Sequence, residues 1–351
     1  RLFVSNSDMA RSRGMHRWYL VSFDDQVNPF EMAELFSSLA CVDKVQYNTV
    51  VSRDYGSEGT PYSYAPKAYG EFALPYNDPL LPDQWHYVNN LDISVAETSR
   101  SGADINVKNA WKLCAGDPMV IVAVCDEGVK YNHPDLIDNM WVNEDEIPAN
   151  GIDDDNNGYV DDIHGWNFLS TSDYPKTISW SEDGDKGHGT HVAGTVAAVN
   201  HNGIGVGGVA GGSGKGDGVK IMSCQVFSGN SSATVAARAK AYEYAANNGA
   251  CILQCSFGLS GGMVTSDGAF DMSYGVERAG LDYFFNYRQP YSPVDKNFAI
   301  FASGNDGYHL AGYPAAHRDY IAVSAIGPDY LPAFYTNYGP GCKIAAPGGE
   351  Y

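Results

Sequence analysis

The feature that most restricts the fold of this chain is residues 119–125, a run of strand length in which every side chain is apolar. A strand that is apolar on both faces needs cover on both, which a parallel sheet between two layers of helices provides. Further strand-like runs alternate with helical segments, at residues 219–227, 250–255, 298–302, 320–326 and 343–346. This alternation predicts an α/β fold with a doubly wound, mostly parallel sheet flanked by helices.

Polar side chains stand where two of these strands end. Asp126 comes directly after residues 119–125, and Asn305 follows the run that ends at residue 302. Ligands bind outside the carboxyl ends of the strands in open α/β sheets. We therefore expect both side chains at the same edge of the sheet, beside a bound ligand.

A third candidate is His188, which lies between two glycines at the start of a run with apolar residues at helical spacing. The glycines leave one face of the histidine open to another molecule. His188 and His191 could also be interpreted as a zinc pair. Helical zinc pairs use i, i+4 spacing with a glutamate between them, whereas the spacing here is i, i+3 without one. His191 is therefore expected to be structural.

Three blocks together resemble the motifs of the subtilisin-like serine proteases, the subtilases: residues 126–128 (Asp-Glu-Gly), 187–194 (Gly-His-Gly-Thr-His-Val-Ala-Gly) and 303–305 (Ser-Gly-Asn). The resemblance implies a subtilisin-like fold and a serine endopeptidase with an Asp-His-Ser triad. In that reaction Asp126 would orient the base, His188 would act as general base and Asn305 would donate to the oxyanion. It also implies a substrate wall made of Ser256, Phe257, Gly258, Ser303 and Gly304.

The nucleophile of the family stands in Gly-Thr-Ser-Met/Leu-Ala, shortly after an Ala-Pro-Gly segment. Here that segment is residues 346–348, and each Gly-Thr in the chain precedes Pro, His or Val. We expect the serine just beyond residue 351, in a continuation of the chain or in a second polypeptide. A deliberately shortened chain and a catalytically inert pseudoprotease, acting as a peptide-binding module, are the alternatives.

Glu127 departs from the family pattern, because serine or threonine is common at this position. A second carboxylate beside Asp126 is expected to favour the protonated form of His188. Replacement of Glu127 by serine should then move the acidic limb of the rate profile to lower pH.

An acidic loop at residues 150–162 predicts a calcium site. Asp153, Asp155 and Asn157 stand at alternate positions, with Gly158 sixth, as in the first half of an EF-hand loop. Position twelve is His164, so an aspartate nearby would close the site. The expected ligands are Asp153, Asp155, Asn157, Tyr159, Asp161 and Asp162. The alternative is an acidic surface loop that binds no particular ion.

The chain divides into three parts. Residues 1–55 predict a small β-α-β module with strands at 17–23 and 42–51 and a helix at 29–39. Its place resembles that of the family's propeptide, an inhibitor and chaperone, and an ordinary adaptor module is the alternative. Residues 56–82 have linker composition and are expected to contain the maturation site. Residues 83–351 are the expected peptidase domain.

Charge narrows the choice of partners. Lys and Arg number 22 against 42 Asp and Glu, and the formal net charge of −20 disfavours nucleic acid and anionic membranes. The expected partner is a protein or peptide substrate.

No apolar run approaches the roughly 18 residues of a transmembrane segment. The resemblance implies a zymogen that is secreted or located in the cell envelope. The seven cysteines are odd in number, so at least one is unpaired within the chain.

Overall fold

One mostly parallel sheet organises this protein, whose computed structural model describes residues 2–3, 8–24, 26–51, 74–89, 98–169, 178–180 and 187–349. The strands are β1 (Ile121–Glu127), β2 (Gly165–Asn167), β3 (Lys220–Ser228), β4 (Ser231–Ser232), β5 (Ile252–Cys255), β6 (Phe298–Ala302), β7 (Ile321–Ile326) and β8 (Cys342–Pro347). Their order is β2-β3-β1-β5-β6-β7-β8, all parallel, and the short β4 pairs antiparallel with β3. The predicted parallel sheet is confirmed.

Helices cover both faces of the sheet. They are α1 (Asp8–Ser12), α2 (Pro29–Ser37), α3 (Val107–Ala110), α4 (His188–Ala197), α5 (Val235–Asn247), α6 (Asp267–Ser273) and α7 (Gly275–Asn286). Short 3₁₀ helices occupy Met15–Arg17, Leu81–Asp83 and Ile137–Asn139. No helix in the described ranges is long and apolar enough to cross a bilayer.

The order in which strands are added to the sheet reverses at β1. The chain runs from β1 through α4 to β3 on one side, and then returns through α5 to β5 on the other side of β1. Crevices form at the carboxyl ends of strands where the order reverses in this way. The residues that follow β1 and β5 therefore border the natural binding site of the sheet.

Alternate residues of the strands serve two separate cores. On the α4 face, Val124 and Ile221 pack with Ala193 and Ala197, whose small side chains let the helix lie close to the sheet. The opposite face packs against α5 and α7. That second core contains Cys125, Cys224 and Cys255, which are fully buried and in register on β1, β3 and β5. Cysteines buried inside strands pack as small side chains among the apolar ones.

A buried ion pair joins α5 to α7. Both nitrogens of the Arg238 fork, Nε and one terminal nitrogen, donate to the Glu277 carboxylate at 2.9 Å. The Tyr242 hydroxyl donates to the same carboxylate at 3.1 Å. Arg238 is 0% exposed and Glu277 is 1% exposed. The pair is bidentate and fully removed from water, so each charge depends on the other for its stability.

The described residues up to Val51, here termed the N-terminal module, differ from their prediction. The helix is present as α2, and Asn28 accepts a hydrogen bond from the backbone N–H of Phe30 as its N-cap. The two flanking strands are not present, and that part of the prediction is wrong. Only Val50 forms an isolated bridge, with Thr234. The polar groups of residues 44–49 do not pair with another strand of the module. They bind the ends of helices in the larger domain. Most of the predicted linker, residues 56–73, lies outside the described residues.

Candidate active site

Asp126 lies at the carboxyl end of β1 and is 0% exposed. Its Oδ1 accepts a hydrogen bond from His188 Nδ1 at 2.7 Å and another from the backbone N–H of Glu127, also at 2.7 Å. Because an ionised carboxylate only accepts hydrogen bonds, Nδ1 carries the imidazole proton and Nε2 carries the lone pair of the ring. Asp126 Oδ2 is buried and has no hydrogen-bond partner among the described residues. The pair has the geometry of an acid that fixes the tautomer of a base.

His188 begins α4, and glycines on both sides make that position possible. Gly187 precedes the helix in the left-handed conformation, with φ of 73°. A Cβ on residue 189 would lie 2.1 Å from the backbone oxygen of Glu127, so the helix start can approach β1 only with glycine there. The His188 side chain stays 33% exposed, whereas that of Asp126 is 1% exposed. The imidazole is thus held on its Nδ1 side and accessible from outside.

The two histidines behind His188 add no positive charge to it at neutral pH. Burial lowers the pKa of His191, and the neighbouring His188 lowers it further. Burial also lowers the pKa of His86 to about 4, with a smaller contribution from His191. His86 packs edge-on against the ring of Tyr87, with the ring centroids 4.5 Å apart. His191 is an exposed residue in the first turn of α4, so its structural role stays a prediction.

The carboxyl ends of β5 and β6 meet beside Asn305. A small cleft of about 40 Å³ lies between residues 256–260 and residues 302–306, with Gly312 at its edge. All five residues predicted as substrate wall line this cleft: Ser256, Phe257, Gly258, Ser303 and Gly304. The ring of Phe257 is buried against Phe227 and Phe301. Phe257 therefore contributes chiefly its backbone, and not its ring, to the predicted substrate wall.

A glycine is required between Ser303 and Asn305. Gly304 has φ of 110°, and a Cβ there would lie 2.4 Å from Asn337 Nδ2. Asn337 in turn donates to the Ser303 carbonyl at 3.1 Å and to the Asp306 carboxylate at 3.0 Å. The loop after β6 is thus held by a second loop, which fixes the backbone on both sides of Asn305.

A larger cavity of about 430 Å³ also reaches Asn305. It lies between α4 and the ends of β6, β7 and β8, and its lining includes Val192, Val196, Ala325 and Pro347. The volume falls within the range of sites that hold a ligand or a segment of chain. Asn305 lines both the cleft and this cavity.

In the acidic loop, three carboxylates come together. One oxygen each of Glu146, Asp155 and Asp162 lies within 4.8 Å of the others. The Asn157 amide donates to both aspartates, at 2.9 and 3.1 Å. Burial raises the pKa of Asp162, while the Tyr244 hydroxyl, donating at 2.6 Å, lowers it. Converging carboxylate oxygens are ligands that Ca²⁺ prefers.

Other predicted ligands lie differently. The two oxygens of Asp153 accept backbone N–H groups from Asn157 and Gly158, and those of Asp161 accept N–H groups from residues 150 and 151. The Tyr159 ring packs among the aromatic rings of Trp166, Phe168 and Tyr244. Glu146 was not among the predicted ligands, because it precedes the EF-hand-like spacing by seven positions.

A second pair of acidic residues also went unpredicted. Asp78 and Asp135 are each 2% exposed. Asp78 accepts backbone N–H groups of His201 and Asn202, and Asp135 accepts the Asn202 amide and the Val206 N–H. Burial raises the pKa of Asp135, and the charge of Asp78 adds to that increase. Asp78 thus joins the segment before α3, and Asp135 the segment after β1, to the loop after α4.

The model of the subtilase family, Peptidase_S8, matches residues 117–350. Halolysin of Haloferax mediterranei is 31% identical over 244 residues, covering 70% of this chain and 38% of halolysin. Subtilisin-like protease 1 of Plasmodium falciparum is 30% identical over 264 residues, covering 75% of this chain and 32% of that protein. The chain spans about a third of the length of these two relatives.

Solved structures agree on the fold. A protease of Pseudoalteromonas arctica has a TM-score of 0.55 at 24% identity, covering 79% of this chain and 73% of its own. The serine protease of Aeromonas sobria, solved in complex with its chaperone, has a TM-score of 0.56 at 24% identity, covering 80% of this chain and 44% of its own. With the family model matching residues 117–350 and this fold around it, the chain belongs to the subtilase family of serine proteases.

Proposed function

We propose that the chain supplies the acid, the base and one oxyanion donor of a serine endopeptidase. The observation that carries this proposal is the 2.7 Å hydrogen bond from His188 Nδ1 to the buried Asp126 carboxylate, at the edge of the sheet where β1 and β5 end. Subtilase membership supports the reaction class. The nucleophile is proposed to be a serine beyond residue 351, in the continuing chain or in a second polypeptide.

In the proposed reaction, His188 Nε2 takes the proton of the serine hydroxyl as its oxygen attacks the peptide carbonyl. Asp126 stabilises the imidazolium that forms, and the same imidazolium then gives its proton to the leaving amine. The side-chain amide of Asn305 donates to the oxyanion of the tetrahedral intermediate. Water, activated by the same base, hydrolyses the acyl-enzyme and regenerates the serine.

The substrate is proposed to be a protein or peptide chain that lies along residues 256–258 and 303–304. These segments line the cleft of about 40 Å³ beside Asn305. Their backbone is held from behind, by Asn337 for the β6 loop and by the buried ring of Phe257 for the β5 loop. A rigid wall of this kind suits recognition of an extended peptide through backbone hydrogen bonds.

The acidic loop is proposed to hold one calcium ion. Asp155 and Asp162 are shared by the sequence-based ligand set and by the carboxylate cluster, and Glu146 completes the cluster. Asn157, Asp153, Tyr159 and Asp161 remain the other proposed contributors of oxygens. The ion would cross-link a loop that otherwise depends on amide donors, and its contribution would be stability.

The N-terminal module is proposed to act as a propeptide-like part of a zymogen, with maturation between residues 56 and 82. Its support is the way residues 44–49 bind the starts of α5 and α7 and the last turn of α6. The protein is proposed to be secreted or located in the cell envelope, in line with the family resemblance.

A fluorophosphonate probe tests the proposed activity. The complete protein that contains these 351 residues is treated with the probe in the presence of calcium, and intact masses are measured under denaturing conditions. We expect one label on a serine outside these residues, loss of label in His188→Ala, and retention in His309→Ala, where the exposed side chain is the control. An unlabelled wild-type protein that still binds peptides would instead establish the inert binding module. Activity that a zinc chelator abolishes, with calcium restored, would establish a zinc hydrolase.

A further inference from the structure

Three short hydrogen bonds link Asp126, Glu127 and His188 in a closed ring. Asp126 Oδ1 accepts from the backbone N–H of Glu127 and from His188 Nδ1, each at 2.7 Å. The third bond runs from the backbone N–H of His188 to Glu127 Oε2, also at 2.7 Å. Glu127 thus contacts both members of the catalytic pair, the acid through its backbone and the base through its side chain.

The position of Glu127 excludes direct contact with a substrate. Its exposed fraction is 0%, although the His188 side chain beside it is one-third exposed. The backbone of Glu127 also forms the surface on which α4 begins, since a Cβ on residue 189 would collide with its carbonyl oxygen. Glu127 therefore lies between the end of β1 and the first turn of α4.

The third hydrogen bond meets a general need of helices. The first N–H groups of a helix have no partner within it, and a carboxylate placed there also interacts favourably with the helix dipole. Gly187, the residue that precedes the helix, supplies no side-chain cap. The Glu127 carboxylate fills that role at His188 itself. His188 is the first residue of α4. A hydrogen bond that holds its backbone N–H group therefore also fixes the backbone position from which the imidazole extends.

We propose that Glu127 is the positioning residue of His188, acting as a hydrogen-bond acceptor that holds the first turn of α4 in register with Asp126. The proposal depends on the proposed peptidase function, because it assigns how the base of that reaction is held. It differs from the effect expected from the sequence, in which Glu127 acts on His188 only through its charge. In the present proposal, the main role belongs to Glu127 Oε2 as the acceptor of the His188 backbone N–H group.

Variants of Glu127 separate the acceptor from the charge. Glu127→Gln keeps an acceptor oxygen at the same length without the charge, and Glu127→Met keeps the length and volume without an acceptor. Glu127→Asp keeps the charge on a shorter stem, and it replaces Glu127→Met if that variant does not fold. Ser266→Ala is the matched control, because it removes the N-cap acceptor of α6, which accepts from Ala269, without touching the ring.

The first readout is the NMR resonance of the His188 Nδ1 proton, which reports the hydrogen bond to Asp126 and needs no nucleophile. We expect this resonance to persist in Glu127→Gln and Ser266→Ala, and to broaden or move upfield in Glu127→Met or Glu127→Asp.

The second readout is hydrolysis of a peptide by the complete protein. There we expect a fall in kcat of roughly 10- to 100-fold in Glu127→Met with KM little changed, since a small misplacement of a catalytic group has effects of this size. Glu127→Gln should recover most of kcat.

Two results would overturn the proposal. One is an unchanged Nδ1 resonance in both Glu127→Met and Glu127→Asp. The other is loss of the resonance in Glu127→Gln to the same extent as in Glu127→Met, which would assign the effect to charge. If the wild-type protein hydrolyses no peptide, the proposed peptidase function fails, and the resonance still decides the role of Glu127.

Discussion

The side chain of Asn48 accepts a hydrogen bond from the backbone N–H of Ala236 at 2.9 Å, across 188 positions of sequence. Ala236 is in the first turn of α5, where N–H groups have no partner inside the helix. Gln46 does the same for Val276 in the first turn of α7, at 3.0 Å. Two neighbouring helices of the larger domain thus receive part of their capping from the N-terminal module. This arrangement explains why residues 44–49 do not form a strand of their own.

The first prediction concerns this capping. Asn48→Ala should release the first turn of α5, since loss of an N-terminal acceptor costs about 0.5–2 kcal/mol. Amide hydrogen exchange measures it, with faster exchange expected at residues 235–237. Asn28→Ala is the matched control, because Asn28 caps α2 inside the module. If exchange at the start of α5 is the same in both variants as in the wild type, the module does not stabilise that helix.

The sheet and the placement of Asp126 and His188 could be predicted because their signals are local. Residues 119–125 are apolar throughout, and Asp126 follows them directly. A single stretch of sequence therefore predicts both the strand and the residue at its carboxyl end. The glycines around His188 indicated the helix start in the same way. The extended N-terminal segments were mistaken for strands because alternation does not reveal what a backbone pairs with. For residues 44–49 the partners are helix ends more than 180 residues away.

The acidic loop illustrates the other limit. The EF-hand-like spacing drew attention to Asp153, whose oxygens bind the backbone of the loop itself. Glu146 joins Asp155 and Asp162 only because the chain folds back over residues 147–152, which carry no ligand pattern. The role of Glu127 was also hidden, since only coordinates reveal that its carboxylate faces a backbone N–H group.

The second prediction concerns the buried pair between α5 and α7. Glu277→Gln should lower the free energy of unfolding by about 3–5 kcal/mol, because it leaves the Arg238 charge buried and unpaired. The double variant Arg238→Met/Glu277→Leu removes both charges and should recover much of that loss. Urea unfolding curves measure both. A double variant as unstable as Glu277→Gln alone would refute this account, because packing would then be the cause.

The third prediction concerns acid stability. Burial lowers the pKa of His86 to about 4 and also lowers that of His191, so the fold favours their neutral forms. Their contribution to stability is complete above the unfolded value of about 6.5 and is lost as pH falls towards 4. His86→Gln should therefore flatten the decline in melting temperature over this range. His309→Gln, at an exposed histidine, should leave the slope as it is in the wild type. Equal slopes in all three proteins would contradict the prediction.

The fourth prediction tests the proposed calcium site through Glu146, the residue that the sequence did not indicate. A ligand at 100 times its Kd stabilises a fold by about 2.7 kcal/mol, so calcium should raise the melting temperature and a chelator should reverse the gain. Glu146→Gln should remove most of that calcium-dependent gain, because Glu146 supplies one of the three converging carboxylates. Glu144→Gln is the matched control, since Glu144 is an exposed acid two residues away. If both variants respond to calcium as the wild type does, the cluster of Glu146, Asp155 and Asp162 is not the binding site.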